Sequence, residues 1–135
     1  MDNLTSDERS KQMSLIRSTD TKPELRVRRI VHGLGYRYRL HAAELPGKPD
    51  LVFPSRRKVI FINGCFWHGH SGCPKGRPPK LRPEYWLSKI EQNARKDELN
   101  IEQLGRLGWK TLAVWQCELK DQSKLRTRLV DFLAE

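Results

Sequence analysis

The chain has 135 residues, enough for one domain with its own core and too few for two. It carries 26 Lys and Arg against 16 Asp and Glu, a formal net charge of +10, which favours a polyanionic partner such as nucleic acid. No apolar run reaches the roughly eighteen residues of a membrane-spanning helix, and the polar N-terminus lacks the apolar segment of a secretory signal. We therefore expect a cytoplasmic protein whose three cysteines favour metal binding over disulfides.

The first residues are predicted to form a basic arm over residues 1–20, ahead of one domain over residues 21–135. Basic side chains such as Arg17 flank only a few apolar ones there. Two interpretations stay open for this arm. In the first, which the composition favours, the arm becomes ordered on nucleic acid and Arg17 contacts DNA. In the second, the arm is a frayed terminus.

The first half of the domain reads as a helix followed by three strands. Thr21 caps a helix that has Pro23 in its first turn and ends at Gly33 or Gly35. Patterns of apolar residues then predict three strands, over 36–40, 50–53 and 58–62. The stretches 45–49 and 54–57 between them are predicted turns.

The second half reads as a helix, a strand and a closing helix. The long helix begins at Pro83 and runs to about Gly105, and the strand covers 109–115. Four apolar residues mark the closing helix: Leu125, Leu129, Phe132 and Leu133. This order of elements is typical of an α/β domain, a small mixed sheet flanked by helices.

A segment from Phe61 to Cys73 concentrates two cysteines and two histidines. The spacing of Cys65, His70 and Cys73 offers three ligands to one ion, and the distant Cys117 can complete a tetrahedral structural zinc site. His68 is then left over for another role.

Aromatic side chains in this part of the chain have two open interpretations, as core residues or as an exposed contact surface. The consecutive Phe66 and Trp67 cannot both point inward from an extended loop, so one of them needs an apolar partner outside the core. Trp86, near the start of the long helix, is evenly balanced between the core and a wedge. Inserting such side chains between bases costs a few kcal/mol, least at a mismatch.

Three carboxylates are candidates for a magnesium site. Asp50 stands at the start of a strand, and the following hairpin is expected to bring the end of strand 58–62, with Asn63 and His68, towards it. A carboxylate at a strand end is what magnesium needs, and Glu24 and Asp97 can be aimed at the same place from their helices. The alternative for Asp50, a turn or cap residue, stays open. We assign no functional role to two further histidines, His32 and His41.

The motifs GKPDLVF, FINGCFWHGHSGC, EYWLSKI with Asp97, and WQC resemble the Vsr family, the very short patch repair endonucleases of bacteria, over roughly residues 9–133. That family belongs to the PD-(D/E)xK nuclease superfamily, and the resemblance implies its αβββαβ core. It also implies a magnesium-dependent nick beside the thymine of a T:G mismatch, which arises when 5-methylcytosine deaminates. The implied partner is double-stranded DNA, in the bacterial cytoplasm and associated with the nucleoid.

The resemblance also implies roles for single residues. Asp50 matches the metal-binding aspartate, whose partner ligand is the backbone carbonyl of Ile62. His68 matches the histidine that handles protons, while Glu24 and Asp97 match acidic residues that hold metal-bound waters. Two further sets match by position. The zinc ligands are Cys65, His70, Cys73 and Cys117, and the aromatic wedges are Phe66, Trp67 and Trp86.

Asn63 is a departure from the family pattern, because the best-known members have a histidine there. An amide does not titrate near neutral pH, so His68 is the one predicted titrating base. Two rival readings stay open: a zinc-stabilised DNA-binding module without catalysis, and a related nuclease with another DNA target. A monomer is the expected oligomeric state.

Duplex DNA binding is expected to weaken steeply as salt is raised, because a strongly basic domain that contacts several phosphates releases counterions. Fluorescence anisotropy of a labelled duplex, measured over a series of NaCl concentrations, checks this expectation. A flat salt profile would contradict a nucleic-acid partner.

Overall fold

The computed structural model describes residues 21–65 and 83–134. Within these ranges the chain forms three helices, four strands and one short 3-10 helix. In chain order they are α1 (Lys22–Gly33), β1 (Arg39–Leu40), β2 (Leu51–Phe53), β3 (Lys58–Asn63), α2 (Pro83–Arg106), β4 (Lys110–Trp115), the 3-10 helix (Gln116–Lys120) and α3 (Gln122–Ala134).

The four strands form one mixed sheet in the order β1-β2-β3-β4. The β1–β2 and β2–β3 pairs are antiparallel, and the β3–β4 pair is parallel. Helices cover both faces of this sheet, so the predicted small mixed sheet flanked by helices is confirmed. None of the helices in the described ranges is long and apolar enough to cross a membrane.

Strand β1 is shorter than the predicted strand over 36–40, which was wrong at its start. The amide of Tyr36 donates to the carbonyl of Val31 at 3.3 Å, so it serves the end of α1 and not a strand ladder. Tyr38 turns its ring edge to Phe53, with centroids 6.2 Å apart. The alternating pattern at 36–40 therefore reflects core packing more than strand pairing.

Two apolar clusters lie on opposite faces of the sheet because strand residues alternate in direction. The first cluster joins α1 and α3 to one face: Val27, Val31, Leu51, Phe53, Ile60, Val114, Leu125, Leu129 and Leu133. The second joins α2 to the other face: Ala42, Val52, Val59 and Leu104. The sheet is thus the middle layer of the fold.

Helix α1 starts as the sequence predicts. The amide of Glu24 donates to the Thr21 hydroxyl at 3.4 Å, and Pro23 lies in the first turn. Val27 and Val31 of this helix are fully buried. Since Glu24 precedes Val27 by three residues, it faces the core with them and is only 2% exposed.

The loop between β1 and β2 folds back on itself as a continued hairpin. The amides of His41 and Ala42 donate to the carbonyls of Asp50 and Pro49, at 3.2 and 3.3 Å. Gly47, with φ +77°, lies at the tip of this loop, where an added Cβ would come within 2.8 Å of the Asn100 side chain. The predicted turn over 45–49 is confirmed, and it places His41 opposite Asp50.

Candidate active site

Three side chains with metal-ligand chemistry meet beside the end of β3. Glu24 comes from α1, His41 from the loop after β1, and Asp50 from the residue before β2. One ligand atom of each lies within 4.8 Å of the others. Within the residues that the structure describes, no other group of three His, Cys, Asp or Glu side chains is placed this closely.

Asp50 is fixed to the end of β3 by a hydrogen bond. The Ile62 amide donates to Asp50 Oδ2 at 2.8 Å. In an antiparallel strand pair the N–H and C=O of one residue point to the same neighbour. The Ile62 carbonyl therefore faces the same side of β3 as the Asp50 carboxyl.

The ionisation of Asp50 is strongly perturbed. Burial is the main cause that raises the pKa of its carboxyl from 3.8 to about 7. The amide of Ile62 opposes this effect, the hydrogen bond and charge of Glu24 reinforce it, and His41 opposes it weakly. Below about pH 7 the Asp50 carboxyl therefore holds its proton beside Glu24, because two adjacent carboxyl groups disfavour joint ionisation.

Glu24 is a buried carboxylate with a donor on each of its oxygens. The Arg28 guanidinium donates to Oε2 at 2.6 Å, and His41 Nε2 lies 2.7 Å from Oε1. Arg28 stands one helical turn further along α1, so the helix itself supplies this ion pair. The result is a carboxylate pair, Glu24 and Asp50, held by three neighbouring groups.

Asn63, the residue after Ile62, and Asp97 line a cavity between β3, β4 and α2, together with four neighbours: Phe61, Asn100, Ile101 and Ala113. Asn63 is 8% exposed. The structure therefore brings Glu24, Asp50 and Ile62 together, while Asp97 lines this cavity with Asn63 and keeps its role as a prediction.

The proposed zinc ligands are only partly within the described residues. Cys65 is buried and Cys117 is half-buried. The parallel strands β3 and β4 pair with Asn63 opposite Trp115, and each cysteine follows its strand by two residues. The two cysteines therefore lie just beyond the same end of two adjacent parallel strands.

Several predicted site residues lie outside the described residues. They are Arg17, Phe66, Trp67, His68, His70 and Cys73. Of the predicted wedges, only Trp86 is described. It is half-buried in the first turns of α2, with its ring edge-to-face against Tyr85 at 5.1 Å. Tyr85 itself is 51% exposed, so this end of α2 presents an aromatic surface.

Sequence reasoning missed His41 and Arg28. The Arg28 contact could have been found from its spacing, because a glutamate and an arginine four residues apart on a helix form a pair. His41 could have been found only by continuing the β1–β2 register past the predicted strand end, which sets it opposite Asp50. No local motif marks it.

The residues around Asp50 suit a hard divalent cation. The Asp50 carboxylate and the Ile62 carbonyl offer oxygen ligands of the kind that magnesium prefers, and the Glu24 carboxylate can accept hydrogen bonds from a metal-bound water. Arg28 compensates one negative charge of the pair, and a bound cation would compensate the second when Asp50 ionises. The donor set thus fits magnesium at the point where Asp50, Glu24 and Ile62 meet.

Comparison with known proteins identifies the family of this chain. The model of the DNA mismatch endonuclease Vsr family matches residues 1–75. The type II nicking enzyme V.XorIIP of Xanthomonas oryzae is 49% identical over 98% of this chain and 96% of its own. The type II nicking enzyme V.NmeAIP of Neisseria meningitidis is 44% identical over 95% and 91%, and the DNA mismatch endonuclease Vsr of Escherichia coli 44% over 87% and 74%. The chain belongs to the Vsr family of DNA mismatch endonucleases.

Proposed function

We propose that this protein nicks one strand of duplex DNA beside the thymine of a T:G mismatch, by magnesium-dependent phosphodiester hydrolysis that starts very short patch repair. The observation that carries this proposal is the pairing of the buried Glu24 carboxylate with the half-buried Asp50 carboxyl beside the end of β3, in a chain of the Vsr family. In this proposal the mixed sheet and its helices are the αβββαβ core of a PD-(D/E)xK nuclease.

The residues around the pair have distinct proposed tasks. Asp50 and the Ile62 carbonyl hold the cation directly, and Glu24 holds a water of its shell. When bound, a hard divalent cation stabilises charge on the phosphate and acidifies a water molecule. His68 moves the proton, while Asp97 and Asn63 orient water or phosphate from the neighbouring cavity.

A structural zinc is the second proposed metal. Its ligands are Cys65, His70, Cys73 and Cys117. This set is supported by the positions of Cys65 and Cys117, which follow adjacent parallel strands at the same end of the sheet. Four protein ligands leave no open position for catalysis, so this zinc serves to hold the intervening segment and its aromatic residues in place.

A basic face on α1 supports a DNA partner. Lys22, Arg26 and Arg29 follow helical spacing on the side of α1 away from Glu24. They line two grooves that Lys120 and Arg126 complete from the other wall. Among the described residues none of these five side chains has a carboxylate partner. Such a face attracts phosphates, and the arm over 1–20 with Arg17 is proposed to add to it.

Aromatic wedges are the proposed basis of mismatch preference. Phe66, Trp67 and Trp86 enter the base stack beside the mismatch, where unstacking costs least. The exposed Tyr85 next to Trp86 supports an aromatic contact at this end of α2. We further propose that the enzyme acts as a monomer in the bacterial cytoplasm, on the nucleoid.

A zinc-stabilised DNA-binding module without catalysis is the rival function. It gives no reason to place the Asp50 carboxyl against Glu24, because two adjacent carboxylates with little access to water repel each other and destabilise a fold. A related nuclease with another target shares the same site, and only the substrate distinguishes it from the proposed enzyme.

A nicking assay on end-labelled duplexes tests the proposed reaction and substrate. With magnesium, we expect a single nick beside the T of a T:G duplex and none in the T:A duplex. Asp50→Asn should lower the rate by about 100-fold or more, since it removes a charged ligand, whereas Asp131→Asn on the exposed side of α3 should cleave normally. Equal cutting of both duplexes would support another target, and binding without cutting would support the rival module.

The raised pKa of Asp50 predicts a pH-dependent stability. Because the folded-state pKa of about 7 lies above the unfolded value near 3.8, the free energy of unfolding should fall as pH rises between these values, by at most about 1.4 kcal/mol per unit. At pH 8, magnesium should restore the lost free energy of unfolding, because a cation bound by the folded protein stabilises it. Asp50→Asn should flatten this part of the profile in denaturant titrations, and Asp131→Asn should not. An unchanged profile in Asp50→Asn would contradict the assigned cause.

Loss of one zinc ligand should cost both metal and stability. Cys117→Ser is expected to release zinc and lower the melting temperature, because ligand binding contributes to folding. Elemental analysis of the purified protein and a thermal melt check this. Ser88→Ala on the exposed face of α2 is the control, and full zinc content in Cys117→Ser would exclude that cysteine as a ligand.

A further inference from the structure

We propose that His41 is a positioning residue of the metal site: its imidazole and the Arg28 guanidinium together fix the Glu24 carboxylate in the orientation that faces Asp50. This inference rests on the proposed function, because it assigns a task to a residue of the same site. It concerns a side chain to which the sequence analysis assigned no functional role.

The backbone at His41 is the first observation. His41 has φ +47°, in the left-handed region that residues other than glycine seldom adopt. Strained conformations of this kind persist where the surrounding structure requires them. Here the hydrogen bond from the His41 amide to the Asp50 carbonyl, 3.2 Å long, ties the strained residue to the metal-binding aspartate itself.

The side-chain contacts are the second observation. His41 Nε2 lies 2.7 Å from Glu24 Oε1, and Arg28 Nη2 lies 2.6 Å from Oε2. With one donor, the carboxylate can still rotate about its last bond. With a donor on each oxygen, its plane is fixed, and the low exposure of the three side chains (20% for His41, 14% for Arg28 and 2% for Glu24) strengthens both contacts.

The same geometry favours a positioning role over metal ligation by the imidazole. Arg28 Nη2 lies 3.4 Å from His41 Nε2. A cation bound at that nitrogen would lie against the guanidinium, and like charges at such short range repel. Magnesium also prefers oxygen ligands to nitrogen. His41 therefore acts on the cation through Glu24.

Two substitutions at position 41 separate the hydrogen bond from the backbone strain. His41→Asn tolerates a positive φ well but is too short to reach Glu24. His41→Gln tolerates the backbone less well, yet its amide nitrogen can extend to about the position of Nε2 and donate. A purely structural role thus favours Asn, whereas a positioning role favours Gln. The same two changes at His32, which is exposed on α1, are the matched controls.

The readout is Mn²⁺ affinity without DNA, followed by electron paramagnetic resonance of the unbound ion, with Asp50→Asn defining the background. We expect His41→Asn to weaken the affinity by about tenfold or more and His41→Gln by about threefold or less, as for other outer contacts of metal ligands. The melting temperature should show the opposite order, with His41→Asn melting at a higher temperature than His41→Gln. Equal effects of the two substitutions, or a stronger effect of Gln, would overturn the inference.

A double substitution tests whether His41 acts through Glu24. If it does, His41→Asn should add nothing to the loss of Mn²⁺ affinity already caused by Glu24→Gln, and full additivity would contradict the inference. The outcomes also separate the two proposals. If the variants show the expected ranking of Mn²⁺ affinities but the wild-type protein never nicks mismatched DNA, the proposed function alone is refuted. One that nicks but shows no difference between Asn and Gln refutes only the role of His41.

Discussion

The contact between the buried Glu24 carboxyl and the half-buried Asp50 carboxyl is the constraint on which the site depends. Ionised together in a poorly solvated place they repel, so in the absence of a cation Asp50 keeps its proton to about pH 7. Arg28 compensates Glu24, and the Ile62 amide holds Asp50. When Asp50 also ionises, the pair gains a second negative charge, which a bound divalent cation would offset.

The fold places these groups through ordinary packing. The buried valines of α1 turn Glu24 towards the sheet, because they share its face of the helix. The β1–β2 hairpin sets His41 opposite Asp50, and the β2–β3 hairpin brings Ile62 to the Asp50 carboxyl. Each side chain of the candidate site is therefore positioned by an element that also contributes to the core, which is how a small domain can hold two carboxyl groups in contact.

Features that depend on local chemistry could be predicted from the sequence. The Thr21 cap, the turn at 45–49, the strand over 58–62 and the α/β class follow from capping, turn residues and apolar runs. Features that depend on distant contacts could not. The amide of Tyr36 donates to α1, which shortens β1. Asp97 lines a cavity with Asn63, and this placement depends on the register of α2 on the sheet, which no local pattern predicts. His41 could be placed beside Asp50 only once the hairpin register was known.

A crystal structure of the protein soaked in Mn²⁺, with an anomalous difference map, tests the central claim most directly. Our account predicts a peak between the Asp50 and Glu24 carboxylates, within coordination distance of Asp50 and of the Ile62 carbonyl, and not at His41 Nε2. The peak should vanish in Asp50→Asn. A peak elsewhere, such as the cavity between Asn63 and Asp97, or none at Asp50 in a protein that still nicks DNA, would contradict it.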